Sequence, residues 1–160
     1  MERLRALLAK HAGVFSNSDN DLGYTTTVKH GIEITYPTPI RVPHRRICPN
    51  LQPEVKRHLA QWLKQGIIRR STSEWAFQSV LVCKKDGTLR ICIDYQPLNN
   101  RTRKDAYPHP RIEEALEALK GARYFCSLDL TQGYLQCAMK EEDIPKTAFR
   151  IGSGGHYEFT

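Results

Sequence analysis

The chain has 160 residues, 40% hydrophobic and 26% charged, with a formal net charge of +7. Its apolar runs are only a few residues long, which excludes a membrane-spanning helix, and its length suits one hydrophobic core rather than two. From Arg41 to Lys104 there are 14 basic and 4 acidic residues, a local net of +10, while the rest of the chain nets −3. Such a stretch suits a polyanion, nucleic acid or a nucleotide triphosphate. A solvated basic face is the plainer alternative.

Leu4, Leu7 and Leu8 predict a short helix over residues 2–10, charged and without the apolar core of a signal peptide. Residues 16–23 read as a polar loop. Val28, His30, Ile32 and Ile34 alternate as in a strand, and Pro37, Pro39 and Pro43 then force an extended course. Residues 1–50 therefore read as an arm or linker outside the core. Pro53 opens a helix with Val55, Leu59, Trp62 and Leu63 on one face and Gly66 as its C-terminal cap.

Residues 78–84 and 88–95 predict a hairpin around the turn Lys85-Asp86-Gly87. Residues 96–110 are irregular. A helix spans 111–120, with Ile112, Ala115, Leu116 and Leu119 on one face and Gly121 as cap. A strand is expected over 123–130, ending in Asp129-Leu130, and another over 134–140. Residues 147–151 and 156–160 predict a last hairpin. Helices and strands in this order, joined by short turns, indicate an α+β fold.

The five cysteines, Cys48, Cys83, Cys92, Cys126 and Cys137, are odd in number and show no C-x-x-C spacing. That argues against a disulfide framework or a zinc site. Most lie in apolar runs, so reduced, buried thiols and an intracellular setting are expected. The six histidines are scattered and form no ligand pair.

Two features carry chemistry. Asp129 stands at the end of an apolar run before a glycine turn, where a carboxylate can hold Mg²⁺ near a phosphate or simply cap the turn. Lys84, Lys85 and Arg90 flank the hairpin turn, where they can close over phosphates or merely keep the hairpin soluble. By residue pattern alone, Tyr134 is a core tyrosine.

Ordered blocks extend these features: GII (66–68), STSEWA (71–76), VLVCKKDGTLRICIDYQPLN (80–99), KDAYPHPRI (104–112), LKGARYFCSLDLTQGYLQ (119–136) and DIPKTAFRIGSGGHYEF (143–159). Together they resemble the reverse transcriptase domain of gypsy-type LTR retrotransposons. PI (39–40) and RRICP (45–49) fit the family's upstream pattern. The resemblance implies a partial right-hand polymerase fold, with an N-terminal arm at 1–50 and fingers and early palm at 51–160. The palm would begin near residue 123. No D-[ST]-G protease motif occurs.

The resemblance also implies two-metal nucleotidyl transfer from a deoxynucleotide to a primer 3′ end. Asp129 falls on the family's first metal carboxylate, and the Leu130 carbonyl would face the metal. The Gln132 and Gly133 N–H groups would cradle the triphosphate. Tyr134 would lie beneath the sugar and reject a 2′-hydroxyl. Lys84 and Arg90 would grip the triphosphate; Lys85 replaces Lys84 if the turn is shifted by one residue. Arg69, Arg70, Arg101, Arg103 and Lys104 are expected to contact nucleic acid. The implied partners are an RNA/DNA template-primer, dNTPs and the other Pol domains (protease, RNase H and integrase), with Mg²⁺ as cofactor, no membrane, and a cytoplasmic or nuclear location.

Two blocks depart from the family. Phe77-Gln78 replaces a usual Ser-Pro, and Gln96-Pro97 replaces a usual Arg-Lys. The sequence also lacks the Y-x-D-D block that supplies two further metal carboxylates. The expectation for these 160 residues by themselves is no polymerase activity. A non-catalytic nucleic-acid-binding module, or the relic of a decayed retroelement, is the alternative.

Overall fold

Helices and strands follow the expected order through most of the chain in the computed structural model, which describes residues 2–18, 21–85, 87–152 and 155–160. They are α1 (Glu2–Lys10), β1 (Thr25–His30), α2 (Gln52–Lys64), β2 (Ile68–Arg70), β3 (Phe77–Cys83) and β4 (Leu89–Ile93), then α3 (Gln96–Asn99), α4 (Ile112–Ala118), β5 (Cys137–Met139), β6 (Phe149–Arg150) and β7 (His156–Phe159). The chain divides into two units, Met1–Gly23 with Lys104–Tyr134, and Tyr24–Arg103 with Leu135–Thr160.

The second unit holds a five-stranded sheet in the order β2-β7-β6-β3-β4. The expected hairpin is β3–β4, antiparallel from Ser79↔Ile93 to Cys83↔Leu89. Its turn closes through Lys84 N–H to the Thr88 carbonyl at 2.8 Å, and Gly87 N–H to the Lys84 carbonyl at 3.0 Å. Gly87 has φ +83°, a left-handed conformation that costs glycine nothing. Asp86, expected in this turn, lies outside the described residues. The last expected hairpin also forms, as antiparallel β6–β7, and β6 runs parallel beside β3.

Side chains alternate across β3 and set the core. Phe77 is fully buried beside Phe149, with which it pairs in register. Ile68, Ile144 and Ile151 complete the most deeply buried set. Burying each such side chain contributes about 1.5–3 kcal/mol. Helix α2 buries Val55 and Leu59 and sets the Trp62 ring 6.0 Å from Phe159. Proline in its first turn loses no hydrogen bond, and Gly66 ends the helix at φ +71°.

Residues 37–48 run extended, as their prolines require, but residues 24–50 are not outside the core. Ile32 is buried, and Ile34, Ile40, Val42 and Ile47 pack against the core. Isolated bridges satisfy the backbone without a long strand: Val42 N–H donates to Ala76 O at 2.7 Å, and Ala76 N–H to Ile40 O at 2.9 Å. Upstream, β1 pairs in parallel with β5. Only residues 137–139 of the strand expected over 134–140 form, because Gly133–Gln136 coil into a 3₁₀ turn.

A buried carboxylate joins these segments. Asp143 accepts the Ile32 N–H at 2.9 Å and pairs with the Lys146 ammonium, which also donates to the Ile32 carbonyl at 2.9 Å. Burial pushes the Asp143 carboxyl up. The Lys146 hydrogen bond, the Ile32 N–H and the charges of Lys146 and Lys140 outweigh it, so the group lies below the ordinary carboxylate range.

In the first unit, α1 and α4 form as expected, yet neither buries a residue. Leu4, Leu7, Leu8, Ile112, Leu116 and Leu119 are exposed. The strand expected over 123–130 is not formed: no described segment pairs with it, and apolar alternation without a hydrogen-bonding partner does not make a strand. Tyr124, Phe125, Leu128 and Leu130 are exposed there. All five cysteines are free, but none is buried. Cys83 sits at the exposed end of β3 and Cys126 in the unpaired 123–130 run, so their apolar neighbours do not enclose them.

Because the Asp143 carboxyl is held down in the fold, its pairing stabilises fully above the unfolded value near pH ~3.9, and that contribution is lost as pH falls through the lower folded value. Asp143→Asn should cost roughly 3 kcal/mol at pH 7 and flatten the loss of stability below about pH 4. Urea denaturation across pH measures both effects. An unchanged acid limb would remove Asp143 as its source.

Candidate nucleotide and nucleic-acid site

The hairpin register separates the three candidate cations. Ser79, Leu89 and Ile91 are buried on one face of β3–β4, whereas Val82, Lys84 and Arg90 on the other are exposed. Arg90 lies opposite Val82, and Lys84 stands one same-face step further along, opposite Thr88. Diagonal same-face neighbours of this kind are roughly 7–8 Å apart, close enough for one polyphosphate to touch both. Lys85 lies beyond the last paired residue, in the turn.

The wider basic set is less uniform. Arg69 Nε donates to Glu158 at 2.8 Å, and Ser71 Oγ donates to the other oxygen of that carboxylate at 2.5 Å. Glu158 is buried while the Arg69 side chain is half exposed. A buried carboxylate needs such partners, so the Arg69 charge is matched within the fold. Arg70 lies with its guanidinium carbon 5.9 Å from the Tyr157 ring centroid. Arg101 donates to the Thr38 carbonyl at 2.8 Å, and Arg103 pairs with Glu33 at 3.8 Å on an exposed surface. Lys104 is exposed and belongs to the other unit.

In that unit the LDLTQGY run forms an exposed turn. The Asp129 carboxylate has no hydrogen bond or ion pair among the described residues, and Leu130 is exposed. Gln132 is left-handed at φ +47°, followed by the 3₁₀ turn from Gly133. A left-handed residue beside helical ones turns successive N–H groups to one side, an anion nest. A Cβ at Gly133 would stand 3.1 Å from the Leu130 Cβ, so glycine keeps the turn tight. Tyr134 is 98% exposed, which corrects its reading as a core tyrosine: nothing packs over the turn that carries it. No group of three His, Cys, Asp or Glu converges among the described residues. Those residues therefore do not by themselves fit a two-metal centre.

Two groups escaped the sequence reading. Glu158, between Tyr157 and Phe159 in β7, is claimed by Arg69 and Ser71. Tyr95, in the IDYQPLN block, donates its hydroxyl to Thr147 O at 2.6 Å, and burial pushes that phenol far up, so it stays protonated. No helix among the described residues is long and apolar enough to cross a membrane.

Comparison with known proteins bears on the fold and the family. A family model described as reverse transcriptase (RNA-dependent DNA polymerase) matches residues 82–159. The retrovirus-related Pol polyprotein from transposon 297 of Drosophila melanogaster is 35% identical over 98% of this chain. The chain spans only 15% of that polyprotein. The prototype foamy virus protease-reverse transcriptase (a CSH mutant) superposes with a TM-score of 0.85 at 25% identity, over 99% of this chain and 21% of that one. The foamy viral enzyme in complex with an RNA/DNA hybrid matches with a TM-score of 0.78 at 21% identity, again over 99% of this chain and 21% of the other. The fold is thus part of a polymerase right hand, and the chain belongs to the reverse transcriptase family. It corresponds to part of that domain in the Pol polyproteins of LTR retrotransposons.

The Arg69–Glu158 pair separates a structural role from a nucleic-acid contact. Arg69→Met should destabilise the chain by roughly 1–3 kcal/mol, because Glu158 is left buried without its cation. The salt dependence of nucleic-acid binding should not change. Urea denaturation and a salt titration of binding read the two effects; a shallower salt slope at unchanged stability would place Arg69 on the nucleic acid instead.

Proposed function

We propose that this chain supplies the fingers and the first part of the palm of a gypsy-type RNA-directed DNA polymerase, which extends a primer 3′ end with deoxynucleotides along an RNA or DNA template. Residues 1–50 lead into the polymerase, with 24–50 packed on the fingers core, and 51–160 form the fingers and early palm. The observation that carries the reading is the placement of Lys84 and Arg90 on one solvent face of the β3–β4 hairpin, as diagonal neighbours roughly 7–8 Å apart by strand geometry. Cations held in place before the reaction stabilise the charge of a phosphoryl group without reorganising.

The LDLTQGY turn, in the other unit, takes its role from the family resemblance alone. Its backbone N–H groups at Gln132 and Gly133 receive phosphate oxygens, and the exposed Tyr134 ring lies against the sugar and excludes a 2′-hydroxyl. Asp129 is the carboxylate this chain brings to Mg²⁺, with the Leu130 carbonyl beside it; the bound metal would supply charge at the phosphate. The partners are a template-primer, dNTPs and the other domains of a Pol polyprotein. The five free cysteines support a reducing setting, the cytoplasm or nucleus.

The lone carboxylate favours a second reading for the chain by itself, a nucleic-acid-binding module without catalysis. The purified 160-residue chain should therefore give no primer extension with Mg²⁺ and dNTPs. In a polymerase carrying this segment, Asp129→Asn should lower kcat at least about 10²-fold. Arg90→Ala should raise KM for dNTP, Lys84→Ala likewise and Lys85→Ala far less. Tyr134→Val should admit ribonucleotides. Primer extension measures all of these, and full activity in Asp129→Asn would end the polymerase assignment.

A further inference from the structure

The solvent face that carries Lys84 and Arg90 continues toward the base of the hairpin. Residues 78, 80, 82 and 84 share one side of β3, because alternate residues point the same way. Asp94 N–H donates to the Gln78 carbonyl at 3.0 Å, which places Asp94 across from Gln78 on β4's side. On the other edge of β3, Gln78 is in register with Arg150 of β6. Arg150 is exposed, while its neighbour Phe149 is buried on the opposite face.

A side-chain relay then brings in a third strand of chain. Arg45, in the extended segment before α2, donates from Nε to Gln78 Oε1 at 3.2 Å. Gln78 Nε2 donates to Asp94 Oδ2 at 3.1 Å, and Asp94 Oδ1 accepts the Gln96 N–H at 3.1 Å. Both sequence departures from the family pattern, Phe77-Gln78 and Gln96-Pro97, thus sit in one hydrogen-bonded line. A proline at position 78 could not make this bond.

The electrostatics give that line a use. Arg41, Arg57, Arg69 and Arg103 each face a glutamate within 4 Å, at 3.4, 3.6, 2.8 and 3.8 Å. Arg45 is oriented by a neutral amide and has no carboxylate within 4 Å, which leaves its two Nη groups without a partner among the described residues. Arg150 has no side-chain hydrogen bond or ion pair there either. Asp94, at the far end of the Gln78 amide, accepts from Gln78 at one oxygen and from a backbone N–H at the other, and makes no ion pair with Arg45. A planar guanidinium held at Nε and open at both Nη atoms matches a phosphate.

We propose that Arg45 and Arg150, set around Gln78, form a phosphate-backbone contact for nucleic acid, with Gln78 as the residue that positions Arg45. Four residues separate Gln78 from Val82, the partner of Arg90, which is roughly 13 Å along the strand. The contact therefore lies apart from the nucleotide grip, and a strand crossing this face meets both. This inference rests on the nucleic-acid reading of the chain given above.

The test is binding of the 160-residue chain to a fluorescent RNA/DNA hybrid with a single-stranded template overhang, as a function of salt. Arg45→Gln and Arg150→Gln should each weaken binding about three- to fivefold and lower the slope of log K against log salt by about one. The double variant should lose about two. Gln78→Leu should reproduce the Arg45→Gln loss, and Arg45→Lys should restore most of the slope. Thermal melts of the Arg45→Gln and Arg150→Gln variants should match the wild type, since both arginines are exposed. If the wild type binds and the slopes of Arg45→Gln and Arg150→Gln equal its slope, the contact is refuted and the wider reading stands. If the wild type binds no hybrid even at low salt, the nucleic-acid reading fails and this contact with it.

Discussion

Strand β3 is hydrogen-bonded along both edges, to β4 on one side and β6 on the other. Its side chains can therefore point only into the core or away from it. Phe77 and Ser79 take the inner positions, and the packing of Phe77 against Tyr95 at 5.2 Å and Trp75 at 6.2 Å leaves no room for a register slip. A one-residue slip would bring Gln78 into an apolar layer and Phe77 into water. The same constraint presents Lys84 and Arg90 together on the outer face. The apolar demand of one side of the hairpin thus aligns the cations of the other.

The arginines show how a strongly basic stretch is divided between structure and recognition. Glu158 is buried and would be costly without Arg69 and Ser71, so that arginine completes the β2–β7 pairing. Asp143 makes a comparable demand in the same unit, where Lys146 and the Ile32 backbone answer it. Exposed pairs such as Arg103–Glu33 contribute far less, because water screens them. Cations left without a carboxylate keep their full field for an external anion. Net charge is therefore a poor guide to which residue touches nucleic acid; the local partner decides it.

The unit built from α1, α4 and the LDLTQGY turn has a different character. Helix α4 is followed closely by Gly121 at φ +85°, but the apolar faces of α1 and α4 bury nothing. Local signals are enough to specify a helix, since its hydrogen bonds close within the segment. A strand is not local: residues 123–130 have the alternation but no partner for their N–H and C=O groups among the described residues. The turn at Gln132-Gly133 needs neither condition. A left-handed residue and a tight approach to Leu130 form it from a few consecutive residues.

Much of this was legible in the residues alone. The hairpin with its glycine turn, α2 between Pro53 and Gly66, α4 before Gly121, the final β6–β7 pair and the family itself follow from period, punctuation and motif, because each depends on near neighbours in the chain. Other outcomes depend on segments far apart in sequence. The proline-rich run 37–49 enters the core because Ala76 offers its backbone to Ile40 and Val42. Cys83 and Cys126 stay exposed because nothing covers them. Arg69 meets Glu158 across 89 residues, and Arg45 meets Gln78 across 33. The sequence by itself determined α1, α2, α4, the two hairpins and the family motifs, since helix, turn and motif are short-range properties. Only the tertiary structure decided which charges are matched and which remain open, because that depends on what long-range packing places within hydrogen-bond reach.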